Sequence, residues 1–296
     1  MPALPHITLL MGTRNGAAHL HQQLAALAAQ THEDWALWVS DDGSSDRTRD
    51  ILREFAQTHP NPVILFKGPE QGLAANYLSL LCHPDLPPGP VALADQDDLW
   101  LPTHLTRGLT ALAQEDPATG QAFVPNRMVL PPGQAPKPLR WRVARPPDFR
   151  NALVECLLPG SGLILDAHAV ALARAAGRVH VPFWDWWLYL LLTGAGARIL
   201  HDPSPGLFYR SHAANTLGPR TGLRAALWRI GKLTDGSYAR WFSANLAALE
   251  THMALLTPEA QAILRPLLPM PHRPRLRQLS RHRQWRQDRL ALWLVA

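Results

Sequence analysis

Short apolar runs and helical patterns take turns along the first hundred residues. Residues 6–11, 35–40, 63–67 and 91–94 are apolar runs of strand length. Between them, 17–29, 47–57 and 73–81 carry helical spacing, with Leu20, Leu24 and Leu27 on one face of the first. Strands alternating with helices at this interval predict right-handed βαβ units, hence an α/β fold with a mostly parallel central sheet flanked by helices. Ligands in such sheets bind beyond the carboxyl ends of the strands. This rule brings together two carboxylate groups that are distant in sequence. Asp41 and Asp42 end the second strand, and Asp95, Asp97 and Asp98 end the fourth, so both groups are expected to face one crevice.

The fourth run leads into Asp95-Gln96-Asp97-Asp98-Leu99-Trp100, three carboxylates within four positions. Such a concentration of negative charge fits a divalent cation carrying a phosphate ligand. It also fits a solvated turn whose aspartates cap the next helix. The loop after the first strand, Gly12-Thr13-Arg14-Asn15-Gly16, lacks the three-glycine spacing of a dinucleotide site, and no Walker A sequence occurs. A bound diphosphate would therefore need a metal to neutralise it rather than a cradle of backbone amides.

Residues 125–150 hold Pro131, Pro132, Pro136, Pro138, Pro146 and Pro147, and read as a loop or lid. Beyond it the sequence predicts a strand at 163–165, a helix from Ala167 capped by Asp166, and an aromatic helix from about Trp184. A short strand at 198–200, the segment 207–210 and a helical pattern over 221–268 follow. Two cysteines, Cys82 and Cys156, suit neither a disulfide framework nor a zinc site, which suggests a reducing, cytoplasmic compartment. No secretory signal is expected at the N-terminus, and the apolar stretch 186–197 is too short to span a bilayer. Net charge is +6, and the excess gathers near the end, where residues 273–289 contain seven Arg and one Asp ahead of an apolar foot at 290–295. Such a tail suits either an anionic membrane surface or a basic helix docked on the domain. No nucleic-acid module accompanies it, and no nucleic-acid partner is expected.

Thr13-Arg14-Asn15-Gly16, Gln30-Thr31, the stretch from Val39 through Asp41-Asp42-Gly43-Ser44-Ser45-Asp46, and Asp95-Gln96-Asp97-Asp98-Leu99-Trp100 resemble the successive signatures of family 2 glycosyltransferases. Trp184-Asp185-Trp186-Trp187-Leu188 and Tyr209-Arg210-Ser211-His212 with Asn215 resemble the bacterial rhamnosyltransferase-like branch of that family. The resemblance runs over about residues 6–218. It implies a GT-A-like domain over 1–218, with a nucleotide-binding half at about 1–100 and an acceptor half at about 151–218, followed by a helical basic extension over 219–296. Departures are Gly12 where relatives usually have Pro, Arg14 for an aromatic, Trp184 for His and Ser161 for Cys.

The resemblance further implies roles. Asp41 and Asp42 hold the position that contacts the donor nucleotide, and Thr13 lines the same pocket; Asp41–Asp46 also satisfies a turn with a helix cap. Arg14 becomes a candidate phosphate contact. Asp95 is expected at the ribose or the metal's water shell, and Asp97 as the metal ligand. Asp98 is expected to cap a helix or touch the donor sugar. The hard carboxylate ligands suit Mg2+ or Mn2+. His212 would complete the metal site, and Arg210 would pair with phosphate. Gly160 would shape the donor-sugar site, and Trp184 and Trp186 would stack on a sugar face. Asp185 would be the general base, its proton affinity raised by the surrounding aromatics, or an N-cap of the aromatic helix, or both.

The function implied is an inverting transfer of a hexosyl group from a UDP- or dTDP-linked donor to a hydroxyl of a glycan or lipid-linked acceptor. Bacterial cell-surface polysaccharide or lipid-linked glycan synthesis is the expected setting, at the inner face of the membrane. The rival readings are a catalytically silent nucleotide-sugar-binding scaffold and a sugar-phosphate nucleotidyltransferase.

Overall fold

A computed structural model of the chain describes residues 3–116, 119–131, 133–138, 145–210, 231–232, 234–284, 289 and 292. The first half follows the βαβ expectation: β1 Ile7–Thr13, α1 Ala17–Ala28, β2 Trp35–Asp41, α2 Thr48–Thr58, β3 Val63–Lys67, α3 Leu73–Leu81 and β4 Val91–Asp95. Then come β5 Leu99–Trp100, α4 His104–Leu112, β6 Gln121–Leu130, β7 Lys137–Pro138, α5 Phe149–Ala152, β8 Leu163–Leu165, α6 Ala167–Ala176, α7 Trp184–Gly194 and β9 Arg198–Arg210. The C-terminal region supplies α8 Ser237–Thr251, α9 Pro258–Leu264 and α10 His272–Ser280.

The strands form one sheet in the order β3-β2-β1-β4-β8-β6-β9-β5, with β7 paired to β6. β1 to β4 are parallel, and β8 enters antiparallel between β4 and β6. Every residue of β1 and β2 is buried, as expected of parallel strands covered on both faces. Side-chain alternation then divides the core in two. Ile7, Leu9 and Met11 join α1, α2 and α4, whereas Leu10 joins α3, α6 and α7.

Two predicted loops are strand instead. β6 runs through Pro125 to Leu130, inside the stretch the sequence reads as a lid. β9 is continuous from Arg198 to Arg210, joining the predicted strand at 198–200 to the segment 207–210. Proline disfavours a regular ladder, and here the ladder is irregular where the prolines sit. The β6–β9 register shifts between Pro125 and Asn126 and again between Asn126 and Arg127, opposite Pro203 and Pro205. Asp166 caps α6 as predicted, its carboxylate accepting from the Ala169 N–H at 2.7 Å.

The C-terminal helices share the domain's core. Phe242, Leu246 and Leu249 of α8, Leu264 of α9, Leu276 and Leu279 of α10, and Leu292 lie in the same cluster as Trp186 and Trp187 of α7. This cover explains why α7 is apolar around most of its circumference. Several arginines of the basic tail turn inward: Arg275 donates to the Leu268 and Met270 carbonyls, Arg283 to Val154, and Arg289 to Arg283. No helix among the described residues is long and apolar enough to cross a membrane.

His104, buried beside Trp100 and Phe123, yields the first testable consequence. Burial, followed by the neighbouring Arg107, pushes its pKa down to about 3. The unfolded chain, with an ordinary His value near 6.5, takes up a proton below that pH that the folded chain refuses. Stability is therefore expected to fall as pH drops from about 6.5 toward 3, by on the order of 2 kcal/mol between pH 7 and 4.5. Urea unfolding of His104→Gln is expected to show a shallower loss over this interval than the parent protein; equal slopes would refute the assignment.

Candidate active site

The register of β1 sets the geometry. Gly12 pairs with Ser40 on one side and Asp95 on the other, and Thr13 pairs with Asp41. Asp41 and Asp95 thus flank the carboxyl end of β1, roughly 10 Å apart at two strand spacings. The pleat sends them to opposite faces of the sheet, Asp41 toward Arg49 of α2 and Asp95 toward Tyr77 of α3.

On the β2 side, Asp41 is buried and fully engaged. It accepts from the Ser44 N–H (3.0 Å) and hydroxyl (2.5 Å), Thr13 Oγ1 (3.2 Å) and Arg49 Nε (2.5 Å). Burial pushes its pKa up, but the bonds from Ser44 and Arg49 outweigh it and the net value falls, so the carboxylate is ionised. Asp42 accepts from the Glu70 and Gly72 N–H groups at 2.6 and 3.0 Å. It fixes the β3–α3 loop behind the crevice, and its side chain is buried there.

Arg14 is exposed. Its backbone is clamped by Gln96, whose amide accepts from the Arg14 N–H (2.9 Å) and donates to the Arg14 carbonyl (3.1 Å). This clamp joins the β1 and β4 loops, and it explains Gly16: a Cβ there would meet Gln96 Oε1 at 2.3 Å.

On the β4 side, Tyr77 of α3 places its hydroxyl 2.7 Å from both Asp95 Oδ1 and the Ala94 carbonyl. Burial and the nearby Asp97 push the Asp95 pKa up to about 6; the Tyr77 bond lowers it, and Asp185 adds to the rise. Asp98 is completely buried. It accepts from the Ser161 hydroxyl and, at 3.4 Å, from the Arg210 N–H, and burial with Asp95 and Asp97 pushes its pKa up to about 8. The helix-cap alternative for Asp98 is corrected here. β5 follows it directly, and α4 begins six residues later at His104. Asp98 instead ties the β4 loop to the Pro159–Gly162 turn and the end of β9.

Arg210 reinforces that tie, donating from Nε to the Asp97 carbonyl (3.0 Å) and from its guanidinium to Gln22 of α1 (2.5 Å). His212 and Asn215 lie outside the described residues. Among the described residues, no group of three or more His, Cys, Asp or Glu side chains forms a ready-made metal site. The donor set still fits a hard cation. Asp95 and Asp97 repel one another within the loop after β4, and a divalent ion of the Mg2+ type binds through one or two carboxylates plus substrate phosphates.

Asp185 stands opposite, in the first turn of α7. Phe183 holds the N-cap position, so Asp185 is not the cap. Burial pushes its pKa up, while the N–H groups of Trp186 (2.8 Å) and Gly160 and the charge of Arg127 oppose the rise. Trp184 walls this side: its ring stacks on Tyr77 with centroids 4.3 Å apart. A Cβ on Gly160 would meet that ring at 2.3 Å, so glycine there is a packing requirement. The sugar-stacking reading of Trp186 is corrected. Trp186 is buried, donates from Nε1 to the Ala152 carbonyl (2.7 Å) and packs near Tyr238.

Tyr77 and Arg127 join the site without having been singled out in the sequence, and Gln96 and Ser161 join it although they carry no predicted role. Tyr77, Gln96 and Ser161 act through partners that are distant in the chain. Arg127 carried a readable signal, a lone cation inside the run 121–130.

The fold is shared with solved glycosyltransferases of GT-A architecture. The Staphylococcus aureus TarS 1–349 complex with UDP-GlcNAc superposes with a TM-score of 0.58 at 13% identity, covering 96% of this chain and 83% of that one. The mannosyltransferase PcManGT from Pyrobaculum calidifontis, in complex with GDP-Man and Mn2+, gives 0.56 at 20% identity, over 98% and 86%. In sequence, the dTDP-rhamnosyl transferase RfbG of Shigella flexneri is 21% identical over 253 residues, 82% of this chain and 84% of that protein. The family model described as glycosyl transferase family 2 matches residues 8–159, about half of the chain. With that match laid over β1 to α5 and the carboxylates they carry, the chain belongs to glycosyl transferase family 2.

Proposed function

We propose that this family 2 enzyme is a metal-dependent, inverting hexosyltransferase in which Asp185 is the general base. The observation that carries this reading is the grouping of Asp95, Asp97 and Asp98 at the end of β4 with Asp185, whose neighbour Trp184 stacks on the Tyr77 that bonds Asp95, and whose own pKa is raised. Asp41 and Thr13 bind the nucleoside, Arg14 lies at the mouth near the diphosphate, Asp97 with His212 would hold Mg2+ or Mn2+, and Asp95 would meet the ribose or the ion's water shell. When bound, that cation would stabilise charge on the departing nucleoside diphosphate. Asp185 accepts the proton of the acceptor hydroxyl as it attacks the anomeric carbon opposite the leaving group. Asp98 and Arg210 hold the metal loop in place, and Gly160 and Trp184 shape the sugar side.

The name of the Shigella relative supports a dTDP-linked hexose donor, and the TarS complex with UDP-GlcNAc keeps a UDP-linked one in view. A glycan or lipid-linked acceptor at the cytoplasmic face of a membrane fits the basic C-terminal region, although several of its arginines serve internal bonds.

Nucleoside diphosphate release from a panel of UDP- and dTDP-sugars, with and without Mn2+ or Mg2+ and with a mixed glycan acceptor pool, tests the reading. Metal-dependent release from one donor is expected. Pyrophosphate release would favour a nucleotidyltransferase, and tight donor binding without any transfer would favour a scaffold.

A further inference from the structure

The turn that follows α10 is sewn to the segment that enters α5. Arg145 donates from its guanidinium to the Arg283 carbonyl (2.6 Å) and to that of Arg281 (3.4 Å). The Gln284 amide bridges the Arg145 N–H (2.8 Å) and carbonyl (3.2 Å). Asn151 of α5 donates to the His282 carbonyl at 2.8 Å. Two arginine-bearing stretches that are far apart in sequence thereby meet, and Arg145, Arg150 and Arg281 are all exposed there. Burial first, then the charges of Arg281, Arg150 and Arg145, push the pKa of the half-buried His282 down, with Asp148 opposing.

The carboxylates of this region are engaged by amides. Asp148 accepts from the Asn151 N–H (2.6 Å), and Glu155 from the Asn151 side chain (2.6 Å) and the Gln284 N–H (2.8 Å). Among the described residues, none of Arg145, Arg150 and Arg281 is ion-paired. The leucines of the C-terminal region face the other way: Leu276, Leu279 and Leu292 lie in the core cluster with Trp186 and Trp187. They are therefore not free to enter a bilayer, and the outward face of this turn offers positive charge.

We infer that Arg145, Arg150 and Arg281 form a docking surface for the anionic phosphate headgroups of a bilayer, held by electrostatics without insertion of the chain. This rests on the reading of a lipid-linked acceptor at a membrane face and gives that reading a site. Guanidinium groups suit the partner because they pair bidentately with phosphate. The rings nearest the patch, Phe149 and Tyr238, are buried, so they cannot stack on bases as a single-stranded nucleic-acid surface requires. The position suits the acceptor side. Arg283 donates to the Val154 carbonyl at 3.0 Å, and from Val154 the chain runs on to Gly160, whose N–H bonds Asp185.

The test is sedimentation of the full chain with sucrose-loaded vesicles, made either of phosphatidylcholine alone or of equal parts phosphatidylcholine and phosphatidylglycerol. The parent is expected to bind only the anionic vesicles. It should leave them when salt rises from about 0.1 M to about 1 M, where screening shortens to about 3 Å. An arginine near an anionic surface raises partitioning about fivefold, so Arg150→Gln with Arg281→Gln is expected to weaken it about twentyfold. Arg145 stays in place because its guanidinium braces the turn, and the Arg281 carbonyl that it holds survives the substitution. Arg150→Lys with Arg281→Lys keeps the charge and is expected to keep the binding. Arg47→Gln with Arg53→Gln on α2 removes the same net charge elsewhere and is expected to stay within about threefold of the parent.

A parent that ignores anionic vesicles, a glutamine variant that binds as the parent does, an α2 variant that loses as much, or binding that persists in high salt each overturns the inference. Binding of a DNA duplex without vesicle binding would make the surface a nucleic-acid contact and overturns it too. The measurement needs no turnover, so failure of metal-dependent donor release does not move it. Transfer to a soluble glycan that is indifferent to vesicles would instead remove the membrane-face acceptor, whatever the sedimentation shows.

Discussion

Asp185→Asn is expected to lower turnover by about three orders of magnitude, within the range that a positioned general base contributes. Nucleoside diphosphate affinity is expected to remain within a few-fold. The asymmetry follows from placement. Asp41 and Thr13 sit at the ends of β2 and β1, whereas Asp185 rides on α7 against the Gly160 turn. The amide keeps the size of the side chain and its acceptor oxygen for the Trp186 N–H, but it cannot take a proton from an attacking hydroxyl. The loss should therefore fall on kcat rather than on donor binding. Single-turnover transfer measured beside calorimetric titration of the nucleoside diphosphate checks both halves. Turnover within tenfold of the parent would rule out Asp185 as the base.

Asp97→Ala is expected to fail differently. Asp97 sits between Asp95 and Asp98 in a loop held from three sides by Tyr77, Ser161 and Arg210, so the loop should keep its shape without this carboxylate. Its removal takes away a cation ligand. Activity at saturating donor is expected to drop by at least about a hundredfold. The Mn2+ dependence of nucleoside diphosphate binding should also flatten, because Asp97 would no longer help hold a cation that offsets the phosphate charge. A metal titration of donor binding in parent and variant reads this directly. An unchanged metal dependence would move the cation site elsewhere, with Asp95 and His212 the first residues to examine.

Much of the site's frame can be read in the sequence because its causes are local. The run 63–67 and the helical pattern 73–81 coincide with β3 and α3, and the topological rule brings Asp41 and Asp95 to the same end of the sheet, although the pleat sends them to opposite faces. What the sequence hides depends on distant partners. Seven prolines make 125–150 look irregular, yet β6 persists because its irregularity is matched by Pro203 and Pro205 in β9. Asp98 reads as a cap because aspartate after a strand so often is one; its partner Ser161 is 63 residues away. The three tryptophans of α7 look interchangeable in a helical repeat. All three lie in the core, and only their distant partners tell them apart: Trp184 packs on Tyr77 and Gly160, Trp186 on Ala152 and Tyr238.

The shared core of α7 and the C-terminal helices also bears on how such enzymes can be recombined. A boundary at 218 looks natural in sequence, but it cuts between Trp186 and the Phe242, Leu246 and Leu249 that bury its neighbourhood. A chimera meant to acquire new acceptor preferences would have to carry the acceptor half and its C-terminal helices from the same parent. The unit that must be exchanged intact in this chain is therefore larger than the stretch that holds its recognisable motifs.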